Sequence, residues 1–292
     1  MPAPPAPPGH SRYSDRLAEF ADLIAPAGTF GVPWADWFAR RLGDRFDGRV
    51  YCEIGCSDGQ FLCDVAADHP DSGFVGIDWK YKSVHAAAGR ATAGGLRNVG
   101  LVRGRGQDLH RWFQRAELAG IWVWHPDPID RGGRLITEPF LSSVHPLLRP
   151  GGTVAIKTDH PGYFQAIRSL LGRPGPSWFT DDPARIGPSP RVRRRDVEPP
   201  ATLPPFSPEV ARRFRVSGDF ADFWADPAAA EHTRPQPFAG RTTPFERRFR
   251  AKRLPIYYVE LTARSAVGEP AAQSVGWALS TVRQDGGRGP AD

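Results

Sequence analysis

Carboxylates recur along this chain in settings where a fold can put them to work. The run Val50-Tyr51-Cys52-Glu53-Ile54-Gly55-Cys56-Ser57-Asp58-Gly59 ends an apolar stretch with an acid and then a glycine-bearing turn. Such a turn lets a ligand approach the backbone at the carboxyl end of a sheet. Its G-x-x-x-G spacing differs from the G-x-G-x-x-G that seats a pyrophosphate on a helix N-terminus. It therefore suits a ligand without phosphates whose cationic end Glu53 can answer, and S-adenosylmethionine is such a ligand. Asp78 follows 25 residues after Glu53, one strand–turn–helix–strand unit later, where an acid binds the two hydroxyls of a ribose. Asp108, in Gly106-Gln107-Asp108, is a candidate to face the adenine, or else the N-cap of the next helix. Further on come His125-Pro126-Asp127-Pro128, Thr158-Asp159 and Thr243-Pro244-Phe245-Glu246-Arg247-Arg248. The prolines flanking Asp127 rigidify its loop. Taken singly, an Asp between prolines is a turn former, Thr-Asp after a strand is a helix cap, and T-x-x-E is a capping box.

The elements that must hold these groups read as alternating strands and helices, the pattern of a parallel sheet covered on both faces. Helices are expected at Tyr13 to Ile24 and Trp34 to Leu42. Strands are expected at 49–54, 73–77, 99–102, 121–124, 153–157 and 254–261. Helices fall between them at 60–67, 82–93, from about Thr137, and at 162–171. Thr137 is a plausible N-cap with Pro139 in the first turn, and Pro146 should kink or end that helix. Pro150-Gly151-Gly152 reads as the turn into the fifth strand. Structure is expected to resume at Arg213 to Trp224. Residues 1–12 and 263–292 are expected to be loose tails around one domain, 13–262, and the Pro/Arg-rich stretch 172–207 a long loop or insertion.

Composition sets the outer limits. The chain has 292 residues, 40% of them apolar, with Gly and Pro at 31 each, a net charge of +6 and only three cysteines. The basic balance favours phosphate-rich partners or simply keeps the protein soluble. Cys52, Cys56 and Cys63 lack C-x-x-C spacing, which argues against a disulfide framework and a zinc site. No apolar run has the roughly 20 residues needed to span a bilayer, and the Pro/Ala-rich start lacks a signal-peptide pattern. A cytoplasmic protein without a metal, a monomer or weak dimer, is the expectation.

In this order, these features resemble the bacterial tRNA guanine-N7 methyltransferases. The likeness runs from about Val50 to Phe164 and returns at Thr243 to Glu260. It rests on the Glu53-Ile54-Gly55 turn, Pro126-Asp127-Pro128, Thr158-Asp159 and Thr243-x-Phe245-Glu246-x-Arg248. The resemblance implies a doubly wound, Rossmann-like α/β fold with a mostly parallel seven-stranded sheet. It implies S-adenosylmethionine as cofactor and tRNA as partner, with methyl transfer to N7 of a guanosine. Glu53, Gly55, Asp78, Asp108 and Asp127 would contact the cofactor, and Asp127 would also be the catalytic residue. Arg131, Asp159, Thr243 and Glu246 would hold the substrate, Arg131 standing where the family carries lysine. The chain departs from the family at His125, usually Phe, and at Ile129, usually Trp, and the basic stretch after the loop is short. His125 is read as structural or stacking rather than as a general base. The departures keep open a methyltransferase for another RNA base or a small molecule, or a catalytically weak RNA-binding relative.

Overall fold

The computed structural model describes residues 13–25, 32–127, 134–172, 204–220, 241–252 and 254–264. Residues 1–12, nearly all of the 172–207 insertion, Arg131 and most of the C-terminal tail lie outside them.

Seven strands form one sheet: β1 Val50–Ile54, β2 Gly73–Asp78, β3 Val99–Arg103, β4 Leu118–Trp124, β5 Leu148–Thr158, β6 Phe214–Phe220 and β7 Tyr257–Ala263. Their spatial order is β3-β2-β1-β4-β5-β7-β6. The first five are parallel, and β7 runs antiparallel between β5 and β6. The helices are α1 Trp34–Leu42, α2 Gln60–Asp68, α3 Tyr81–Ala93, α4 Glu138–Val144, α5 Pro161–Leu170, α6 Pro208–Arg213 and α7 Pro244–Ala251.

Strands covered on both faces read as nearly continuous apolar runs, and β1, β2 and β4 are buried along their whole length. One apolar layer, including Trp34, Phe38, Val75, Ile121, Phe140 and Phe164, covers one face. A second, including Phe61, Leu62, Val84, Leu101 and Trp122, covers the other. Close packing at the glycine turn is visible at Gly59, where a Cβ would stand 2.7 Å from the Ala87 Cβ of α3. Thr137 caps α4 by accepting from the Phe140 N–H, and the helix gives way to a 3-10 turn, His145–Leu147, at Pro146.

Three local expectations are corrected. The first helix is only a 3-10 segment, Asp15–Phe20, because the chain beyond it pairs with the sheet. Leu101 donates to the Leu23 carbonyl and Ala25 donates to that of Leu101. Pro150-Gly151-Gly152 is an irregularity inside β5 rather than a turn before it, with the β4 register slipping between Leu118 and Gly120. The last strand runs on to Ala263 and begins at Tyr257. It is flanked by β5 and β6 and buried almost throughout.

Candidate functional site

The chain runs outward from β1 to β2 and β3, then returns to place β4 on the other side of β1. That reversal opens a crevice at the carboxyl ends of β1 and β4, the usual ligand position in such sheets. Register carries each expected acid to this edge. Ile54 stands beside Ile77 and Val123, and Trp124 beside Lys157. The order along the edge is thus Asp78, the Glu53 turn, the Asp127 loop and Asp159.

The turn after β1 is built for close approach. Gly55, Ser57 and Gly59 all have positive φ, at 77°, 52° and 71°, and a Cβ on Gly55 would meet nothing within 4 Å. Gly55 and Cys56 donate to the Ile77 carbonyl at 2.7 and 3.1 Å. Ser57 donates to Asp78 Oδ2 at 3.1 Å, and Lys80 to Asp78 Oδ1 at 2.8 Å. Asp78 therefore ties the turn to the end of β2. Its burial pushes the carboxyl upward against these stabilising hydrogen bonds.

Glu53 is 3% exposed, and its Oε2 is buried without a hydrogen-bond partner. Burial, then Asp58, then Asp78, push its carboxyl up to about 8. A buried acceptor left unmade is costly, and a cationic ligand group would relieve both the missing hydrogen bond and the crowded negative charge. With the open face at Gly55, this fits the aminoacyl end of S-adenosylmethionine.

Asp108 lies within a 3-10 segment, Gly106–Arg111, at non-helical backbone angles. It is not the N-cap; Arg105 occupies that position. Trp79, which sequence reasoning passed over, directly follows Asp78 and is 58% exposed. An aromatic next to the acid ending β2 was the available signal.

Beyond β4, Asp127 is exposed. His125 has φ 51° and donates its backbone N–H to the Lys157 carbonyl at 2.7 Å. Its Nδ1 lies 3.4 Å from Asp159 Oδ1. The cap of α5 is not Thr158-Asp159 but His160, whose Nδ1 accepts from the Tyr163 N–H, and Asp159 is left to face His125.

Thr243 and Glu246 do form a capping box. Glu246 N–H donates to Thr243 Oγ1 at 3.1 Å, and Thr243 N–H donates to Glu246 Oε2 at 2.6 Å. Glu246 is fully buried and its Oε1 accepts from Lys157 Nζ at 3.0 Å. Lys157, also fully buried, donates to the Arg241 carbonyl and lies 4.9 Å from the Trp124 ring centre. Burial lowers its ammonium below the usual lysine range, and Glu246 opposes that. The expected substrate ligands Thr243 and Glu246 are thus inside the protein, and what their segment presents is Phe245, 48% exposed. The buried Lys157 was not foreseen, since in sequence it reads as one more polar strand end.

A sheet of this order, with a glycine turn and carboxylates gathered at its reversal, is that of the S-adenosylmethionine-dependent methyltransferases. Comparison with known proteins narrows the class. A family profile described as "Putative methyltransferase" matches residues 47–178. The tRNA (guanine-N(7)-)-methyltransferase of Rubrobacter xylanophilus is 30% identical over 167 residues, which cover 56% of this chain and 67% of the relative. Those of Oenococcus oeni and Chloroflexus aurantiacus are 33% and 34% identical over 44% and 41% of this chain, and the match covers 62% and 55% of their lengths. The chain belongs to the tRNA (guanine-N(7)-)-methyltransferase family, and S-adenosylmethionine is its methyl donor.

Among the described residues no helix is long and apolar enough to cross a membrane.

Proposed function

We propose that the protein transfers a methyl group from S-adenosylmethionine to N7 of a guanosine in tRNA. The observation that carries this reading is the juxtaposition, along one sheet edge, of Glu53, whose buried Oε2 has no hydrogen-bond partner, with the Asp127 loop and Asp159. Family membership supplies the substrate.

Glu53 and the Gly55 turn hold the aminoacyl end of the cofactor. Asp78 takes the ribose hydroxyls, and Trp79 and Asp108 flank the adenine. The cofactor supplies an electrophilic methyl group. N7 of guanine carries no proton, so no strong base is needed before attack. The protein acts by positioning and by setting carboxylates where positive charge grows on the purine. Asp127, exposed at the end of β4, serves that role and also faces the cofactor. Asp159 and Arg131 orient the nucleotide, while Thr243 and Glu246 act through α7, which they hold against the sheet edge.

Purified protein, isotope-labelled S-adenosylmethionine and unmodified tRNA provide the test, with nucleosides identified by mass spectrometry. Labelled 7-methylguanosine is expected, and Asp127→Asn should cut its formation by roughly 100-fold with little change in RNA affinity. Label on another nucleoside, or an unaltered rate in the variant, would count against the reading or the residue respectively.

A further inference from the structure

His125 has an unusual environment for a residue at a strand end. Its positive φ is uncommon for a residue with a side chain, and such backbone strain concentrates at functional sites. Its side chain is 5% exposed, and its Nε2 is buried without a hydrogen-bond partner. The other nitrogen faces the Asp159 carboxylate at 3.4 Å; in the neutral ring, the tautomer that points its proton at this carboxylate leaves Nε2 as an acceptor. The ring lies 5.3 Å from that of Phe249 and 6.4 Å from that of Phe245. Phe245 is half exposed. An unpartnered ring nitrogen is therefore held beside two aromatic rings, two residues from Asp127.

We propose that His125 reads the target base by accepting a hydrogen bond from the N1–H of guanine at Nε2. This rests on the N7-methylation reading above and names the group that selects guanine there. N7 and O6 of guanine are both acceptors and would be repelled by Nε2. The Watson–Crick edge supplies donors, N1–H and the 2-amino group, and adenine has an acceptor at N1. Phe245 provides a flat, half-exposed surface for the base, and because Nε2 is buried the side chains over it must shift for N1–H to reach it.

The same bond aids the reaction. As the N7–methyl bond forms, the sulfur–methyl bond breaks and its electron pair stays on sulfur, leaving the purine cationic. The charge makes N1–H a stronger donor, so its bond to Nε2 tightens in the transition state, the condition for acceleration. No proton has to leave the base.

Single-turnover methylation of RNA bearing guanosine or 1-deazaguanosine at the target position tests this, because the analogue replaces N1–H by C–H without added bulk. With the native protein, the analogue should react roughly 10- to 100-fold more slowly, as expected for a hydrogen bond involving a charged partner. His125→Phe should slow guanosine by a similar factor, and the two losses should not multiply. His125→Gln, which keeps an acceptor, should recover part of the rate. Unchanged cofactor binding in both variants would verify the fold. Equal native rates on the two RNAs, or losses that multiply, would overturn the proposal while 7-methylguanosine formation stands. Absence of 7-methylguanosine with the native protein would instead remove the reading on which it rests.

Discussion

Glu53 couples proton binding to ligand binding. Its ordinary value near 4.5 is raised to about 8 by burial and by Asp58 and Asp78. Between those values the folded protein keeps a proton that the unfolded chain releases. The resulting stability is therefore full below about pH 4.5 and is lost as pH rises through 8. A cationic ammonium placed against Glu53 favours the carboxylate, so cofactor binding should expel this proton. Affinity for S-adenosylmethionine should rise by up to about tenfold per pH unit between pH 6 and 8. Calorimetry in buffers of different ionisation heat should show proton release. Glu53→Gln should bind more weakly and respond flatly to pH; a native protein with a flat response would mean that Glu53 does not meet the ammonium. In sequence Glu53 was identifiable from the glycine turn that follows it, and Asp78 from its spacing. His125 facing Asp159 was not, because 34 residues separate them and only the parallel pairing of β4 with β5 brings them together.

At the scale of elements, α7 is fixed to the sheet by a buried ion pair. Lys157 is the penultimate residue of β5, Glu246 sits in the first turn of α7, and both are fully buried. Removing one member of such a pair strands the other charge, at a typical cost of about 3–5 kcal/mol. Lys157→Met should lower the urea midpoint accordingly with little change in slope. Adding Glu246→Gln to Lys157→Met should restore much of the loss, since Gln can still complete the capping box and carries no charge. If the single variant were as stable as the native protein, Glu246 would not depend on Lys157. The T-x-x-E spacing made the helix start legible from residues 243–246. Its burial was not legible, because a capping box is ordinarily a surface device and nothing local to the segment announces a lysine 89 residues away. The opening helix failed for a related reason: pairing with the edge of β3 at Leu101 overrode a helical pattern too weakly capped to persist. The central α/β alternation succeeded because two-sided burial writes apolar strands directly into the sequence.

On the scale of the whole molecule, net charge says less than the placement of charge. The protein carries +6, but α7 and its end concentrate it: Arg247, Arg248, Arg250 and Lys252 are exposed while Glu246 is withdrawn into the interior. That helix also carries Phe245, half exposed, so these cations lie on the same short helix as the proposed base-stacking ring. Fixed cations there would engage the phosphates flanking a guanosine whose base enters beside Phe245. Four phosphate contacts correspond to a slope of roughly −3 to −4 in log affinity against log salt, or about a hundredfold weaker binding between 50 and 200 mM. Replacing Arg247 or Arg250 with Ala should weaken tRNA binding and reduce the slope by about one each, leaving cofactor affinity unchanged. Fluorescence anisotropy over a salt series would measure both quantities. Arg248 is the more complex case, since its guanidinium lies 5.8 Å from the centre of the Phe245 ring. Its loss should alter base positioning as well as affinity, lowering the single-turnover rate at saturating RNA where the other two substitutions should not. If all three arginines changed the slope without touching the saturated rate, α7 would be a phosphate clamp only, and Phe245 would be positioned without help from Arg248.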